Sequence, residues 1–168
     1  MKEGPLALAN PTDYTCRANI MWAGTLAHND LTGCGTTGDW ATHNIEHELS
    51  GLFDVSHGAG LAAVWGSWAR YTRNENLPRF ARFAHNVMGI DTTNMSDMEA
   101  SEAGIKAMEQ FFRSIGMPTD IHTLVGKDIT DAEIEEMAQK CTNGDTTTIG
   151  GLKILHAADI VKIYQMAK

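Results

Sequence analysis

Apolar residues recur at intervals of three and four along most of the chain, the spacing that lines one face of a 3.6-residue helix. Between residues 12 and 29, Ala18, Met21, Trp22, Thr25 and Leu26 form such a stripe, and Pro11 stands where a helix can begin. Three glycines, Gly33, Gly35 and Gly38, then break the periodicity and mark a loop. A second helix is expected from about 40 to 53, with Asp39 or Thr42 as a candidate cap. Residues 56–60 read as a sharp junction into a third helix, 61 to about 71. Leu61, Ala62, Val64, Trp65 and Trp68 make it apolar almost all round, the pattern of a helix at the centre of a bundle. Further amphipathic stretches cover 77–88, 96–115, 131–141 and 156–167, and Ser96 followed by Glu99 matches a capping box. Only residues 145–149 resemble a short strand, which argues against a sheet-based domain. The pattern therefore predicts an all-α helical bundle forming a single domain over 1–168, without repeat or linker.

Composition narrows the partners. Thirteen Lys and Arg against 21 Asp and Glu leave a formal charge of −8, so the basic footprint of a nucleic-acid or anionic-membrane binder is missing. Cys16, Cys34 and Cys141 are odd in number, widely spaced and without a CxxC pair, which suits a reducing compartment better than a disulfide framework. The first residues carry no apolar signal segment, and the longest weakly polar stretch, 58–69, is far short of the roughly 20 residues that span a bilayer. The expectation is a cytoplasmic protein whose partner is neither nucleic acid nor membrane.

The chemistry concentrates in residues 39–58, where three of the seven histidines, His43, His47 and His57, fall within fifteen residues. On a helix His43 and His47 lie one above the other, about 6 Å apart at Cβ, and His57 returns after the helix ends. Neutral imidazoles in such a group suit Zn, Fe, Ni or Cu better than Mg or Ca. His43-x-x-Glu46-His47 also fits the pattern of inverted zinc peptidases, with Glu46 as general base toward a metal-bound water. That reading needs a third ligand, for which Glu99, Glu102 or Glu109 offer no independent support, and it leaves His57 unexplained. A third possibility is a non-catalytic helical module.

The run Trp40-Ala41-Thr42-His43-Asn44-Ile45-Glu46-His47-Glu48-Leu49 through Asp54-Val55-Ser56-His57-Gly58-Ala59-Gly60 resembles the second signature of the iron-dependent (group III) alcohol dehydrogenases, in their NAD(P)H-dependent butanol dehydrogenase-like branch. The resemblance extends from Tyr14-Thr15-Cys16-Arg17 through Arg79-Phe80-Ala81-Arg82 and Phe111-Phe112-Arg113-Ser114 to the C-terminal end. It implies the all-helical metal-binding C-terminal domain of a two-domain enzyme that interconverts primary alcohols and aldehydes. It also implies a divalent metal, Fe(II) or Zn(II), acting as Lewis acid on the substrate oxygen, and hydride exchange with NADH or NADPH. By the family pattern His43 and His57 are metal ligands and His47 is the catalytic histidine, a plausible proton relay. The i,i+4 pair is then not the chelate. Two parts of the family pattern are missing from these residues: the dinucleotide-binding domain with its glycine-rich loop, and an upstream Asp and His, four residues apart, that complete the ligand set; Asp39-x-x-x-His43 reproduces that spacing, but His43 is already assigned. The chain is accordingly expected to be a C-terminal portion that does not transfer hydride alone, from an enzyme that forms a homo-oligomer.

Other conspicuous residues have plainer readings. Trp22, Trp65 and Trp68 fit a core better than a substrate pocket, whereas Trp40, beside the first candidate ligand, is placed to wall an aldehyde site. The nine methionines read as core filler, and His28, His85, His122 and His156 as ordinary histidines. Gly58 and Gly60 serve either close helix packing or backbone approach to a cofactor.

Overall fold

Nine α-helices and two 3-10 turns make up the chain in the computed structural model, which describes residues 1–168 throughout, and the all-α expectation holds. The suggested strand at 145–149 amounts to one isolated bridge, Ile149 to Leu155. By its internal contacts the chain divides into two compact units, Met1–Gly38 and Asp39–Lys168.

The first unit contains α1 (Glu3–Ala9), α2 (Tyr14–His28) and a 3-10 turn at Leu31–Gly33. Asp13 caps α2, its carboxylate accepting the Cys16 N–H at 2.8 Å. Cys16 is the only buried residue of α2, while Met21 and Trp22 are 72% and 63% exposed. Trp22 is therefore not the core residue that its helical spacing suggests. Two helices of seven and fifteen residues have no third layer of their own with which to enclose an apolar face. The short α1, interrupted by Gly4 and Pro5, carried no periodic signal.

The second unit comprises α3 (Ala41–Phe53), α4 (His57–Thr72), a 3-10 turn at Arg73–Glu75, α5 (Leu77–Asn86), α6 (Asp97–Ser114), α7 (Ile121–Val125), α8 (Asp131–Cys141) and α9 (Ala157–Ala167). Helix α4 is the hub, packed by α3, α6, α7 and α9. It begins four residues before the predicted start, because Gly58 and Gly60 are helical and form no junction. Buried Ala62, Ala63, Ser67 and Ala69 keep its surface low, so several helices can approach at once. The main core joins Ile45 and Leu49 of α3 to Val64 of α4, Ile134 of α8, and Ile160 and Ile163 of α9. Trp65 and Trp68 pack against a smaller cluster of Ala69, Phe80 and Ile105; Trp68 fits the core reading, while Trp65 also borders a cavity.

Polar links lock this arrangement. The fully buried Tyr164 of α9 donates its hydroxyl to the Ile45 carbonyl of α3 at 2.6 Å. Asp39 accepts N–H bonds from Ala41 at 2.7 Å, Gly151 at 3.0 Å and Leu152 at 2.8 Å, so it starts α3 and ties it to the distant 151–152 backbone. Arg70 of α4 forks onto Glu109 of α6 at 2.5 and 2.9 Å and also reaches Glu102 at 3.2 Å. Glu102 and Glu109 thus fasten α6 to α4.

Gly104, inside α6, faces α5: a Cβ there would stand 2.8 Å from the Ala84 Cβ and 3.0 Å from its Cα. Alanine gains about 1 kcal/mol over glycine in a helix, but overpacking costs about 1–3 kcal/mol. The clash is partly with backbone and cannot be relieved by a rotamer, so Gly104→Ala is expected to lower the midpoint of urea unfolding despite the better propensity. At the start of α8, Thr130 and Glu133 form a capping box, and the Thr130 N–H bond together with Lys127 holds the Glu133 carboxyl down from 4.5 to about 2. A depressed carboxyl stabilises the fold above its unfolded pKa and ceases to do so as pH falls through the folded one. Glu133→Gln should therefore lower the Tm at neutral pH, by a difference that shrinks as pH drops from 4.5 to about 2.

Candidate metal centre

Helix α3 presents two faces with different chemistry. Ile45 and Leu49 enter the core, His43 and His47 line up one turn apart, and Glu46 points inward with 0% exposure. The helix is stopped by Asp54, which adopts the left-handed conformation at φ 51°. Val55 and Ser56 then reverse the chain, and His57 becomes the first residue of α4. A tight helix-to-helix turn thus returns a third imidazole to the pair on α3.

The three rings form a cluster. His43 and His57 have ring centroids 5.4 Å apart, and His47 and His57 5.3 Å. Trp40 stands edge-on to His43 at 4.7 Å, beside the candidate ligand as the sequence suggested. Potential donor atoms of Glu46, His47 and His57 all lie within 4.8 Å of one another. Two imidazoles bonded to one ion at about 2.0–2.1 Å have centroids roughly 5–6 Å apart, so the spacing of His57 from either neighbour suits a shared divalent ion. Distance alone does not rank His43 above His47.

Beneath the rings, Glu46 pairs at Oε2 with His57 Nδ1 and accepts at Oε1 from the Ser50 hydroxyl. Gly60, one turn along α4, makes room: a Cβ there would stand 2.5 Å from Oε1 and 2.6 Å from Cγ of Glu46. Sequence reasoning considered Glu46 only as a peptidase base and missed Ser50 and Gly60 as its neighbours. The available signal was a charged residue set between Ile45 and Leu49 on the buried arc of α3. With both oxygens engaged and no exposed edge, Glu46 has no access to a water and does not fit the role of general base. Asp39 is likewise committed to backbone, which removes it as a ligand candidate.

A cavity of about 500 Å³ opens beside His43, walled by Leu61, Trp65, Phe112, Ile115 and Met117. Its walls are mainly apolar, with Thr42, His43 and Ser56 as the polar side chains. His85, His122 and His156 lie elsewhere and bond to the Ile90 carbonyl, Asp128 and Asp145, in keeping with an ordinary structural role.

The profile of the Fe-containing alcohol dehydrogenase family, C-terminal part, matches residues 1–168. The chain belongs to this family. It is 36% identical over 167 residues to NADH-dependent butanol dehydrogenase A of Clostridium acetobutylicum, covering 98% of this chain and 42% of that protein. It is also 36% identical to the NADPH-dependent aldehyde reductase YqhD of Escherichia coli, over 94% of this chain and 42% of the relative. Among solved structures, NADH-dependent butanol dehydrogenase A of Thermotoga maritima superposes with a TM-score of 0.88 at 30% identity, over 99% of this chain and 42% of that one. The substrate- and cofactor-free aldehyde reductase YqhD gives 0.90 at 33% identity, over 99% and 43%. The chain thus spans about two fifths of the length of these relatives. Nothing in these comparisons supports a metallopeptidase.

Overpacking at Gly60 is testable through a mutant cycle. Gly60→Ala should destabilise the fold by about 1–3 kcal/mol, because a 0%-exposed Glu46 has nowhere to move. In a Glu46→Ala background the same change should cost at least about 1 kcal/mol less, as read from urea unfolding of the four proteins.

Proposed function

We propose that this chain supplies the metal-holding half of an NAD(P)H-dependent site that interconverts primary alcohols and aldehydes. The observation that carries the proposal is the three-histidine cluster at the α3–α4 turn, in a chain of the Fe-containing alcohol dehydrogenase family. In this reading His43 and His57 hold the ion, with iron favoured by the family and zinc as the alternative. A bound divalent ion supplies Lewis acidity toward the substrate oxygen, while a nicotinamide cofactor held outside these residues exchanges hydride with the substrate carbon. His47, 5.3 Å from His57 between ring centroids and open to solvent, relays a proton between an imidazole nitrogen and the substrate oxygen. The apolar cavity beside His43 offers a surface for the hydrocarbon part of the substrate and excludes water from it.

The absence of any helix long and apolar enough to cross a membrane agrees with small-molecule chemistry in aqueous surroundings. The free thiols Cys16, Cys34 and Cys141 suit the cytoplasm. A net charge of −8 argues against nucleic acid as the partner in this reading. Assembly into a homo-oligomer is part of the same reading, drawn from the family resemblance.

Anaerobic titration of the 168-residue chain with Fe(II) and Zn(II) separates the roles. His43→Ala and His57→Ala should each weaken uptake at least about tenfold, because each removes one of the imidazole ligands that set the affinity. His47→Ala should leave uptake within about twofold. Wild-type uptake in either ligand variant would remove that assignment, and a loss in the His47 variant equal to the others would make His47 a ligand.

A further inference from the structure

We infer that Glu46 is a positioning residue of the metal centre: its buried carboxylate accepts the Nδ1–H of His57 and so presents Nε2 of that ring as the ligand atom. The inference rests on the reading of His57 as a metal ligand.

Glu46 has no lysine or arginine partner; its side-chain contacts are the Ser50 hydroxyl at Oε1 and His57 Nδ1 at Oε2. Burying a carboxylate without a cation is costly, so core packing alone does not explain its place between Ile45 and Leu49. Its geometry toward His57 does. A neutral imidazole donates from one nitrogen and accepts at the other. Donation from Nδ1 leaves the lone pair on Nε2, and a carboxylate acceptor makes that lone pair more basic. The His57 side chain is 48% exposed and Glu46 0%, so the pair runs from the interior to the surface with the free edge of the ring outward.

Three further contacts brace the carboxylate. Ser50 also lies 3.3 Å from the Val55 carbonyl, in the turn that delivers His57, and so links that turn to Glu46. Gly60 leaves room for the carboxylate beneath α4, since a Cβ there would overlap Cγ, Cδ and Oε1 of Glu46. The third is the α3 backbone, which fixes Glu46 and Ser50 one turn apart. The ring is thereby oriented before an ion arrives, and the carboxylate places a negative charge one residue behind the ligand. Although Glu46, His47 and His57 donors share a 4.8 Å neighbourhood, Glu46 is the member with both oxygens already occupied, which makes it a support and not a direct ligand.

Long-range 1H–15N NMR on the metal-free chain, with Zn(II) affinity by chelator competition on the same samples, tests the inference. The expected result is His57 protonated at Nδ1 and bare at Nε2 in the wild type, a preference that weakens in Glu46→Gln, whose neutral amide is a poorer acceptor. Zn(II) affinity should fall about 10–100-fold in that variant, and at least as far in His57→Ala. A wild-type His57 protonated at Nε2 overturns the positioning role, as does wild-type affinity in Glu46→Gln when His57→Ala has lost it. Wild-type affinity in His57→Ala instead overturns the ligand reading. If Glu46→Gln fails to fold by circular dichroism, or the wild type binds Zn(II) too weakly to measure, the wild-type tautomer decides.

Discussion

A carboxylate with no exposed surface has to be satisfied, and much of the second unit is arranged around meeting that requirement at Glu46. An unpaired charge in a core would cost more than the whole fold can spare. Its two oxygens fix Ser50 one turn along α3 and His57 at the head of α4. Those two partners set how tightly the turn at Asp54, Val55 and Ser56 must close, and Gly60 sets how near α4 must lie. The histidine cluster on the surface is the outward face of this arrangement.

The same logic explains why α4 is built from small residues. A hub helix touched by α3, α6, α7 and α9 cannot carry a large side chain on every face without holding its neighbours apart. Alanine, glycine and serine let them in, and specificity comes from a few directional links. Arg70 reaches α6 through Glu102 and Glu109; Tyr71 reaches Asp159 of α9 at 2.5 Å. Burial and the Asp159 carboxylate push the Tyr71 hydroxyl up to about 12, which keeps it a donor at any physiological pH.

Most of the second unit was legible because its helices are long enough for periodicity to show and begin on strong caps. The Ser96–Glu99 box marks the start of α6 within one residue, and 131–141 is found as drawn. Two of the misses share a cause: glycine and proline count as breakers in a local reading, yet α4 runs through Gly58 and Gly60, and α1 forms across Gly4 and Pro5, whereas the five-residue α7 is too short to show a period. At Gly60 the reason lies on another helix, since only the Glu46 side chain from α3 shows what fills the space. Trp22 failed in the opposite sense, because a stripe implies burial only where another element covers it.

The histidines themselves were visible as a spacing, but their division of labour was not. A stacked i,i+4 pair looks like the natural chelate, and in the folded chain His57 stands 5.4 Å from one member and 5.3 Å from the other. What differs between the members is the environment. His43 lies against Trp40 and beside the apolar cavity, partly withdrawn from water, whereas His47 is exposed. A ligand gains from a dry, walled position, where water competes poorly for the ion and the ring cannot swing away. A proton relay needs the reverse: a ring in reach of solvent, free to load and unload at nearly neutral pH. The asymmetry of burial on one face of α3 is the physical argument for the proposed division, with His43 and His57 as the holding pair and His47 as the proton relay, and it stands against the donor-atom spacing, which groups His47 with His57 and Glu46.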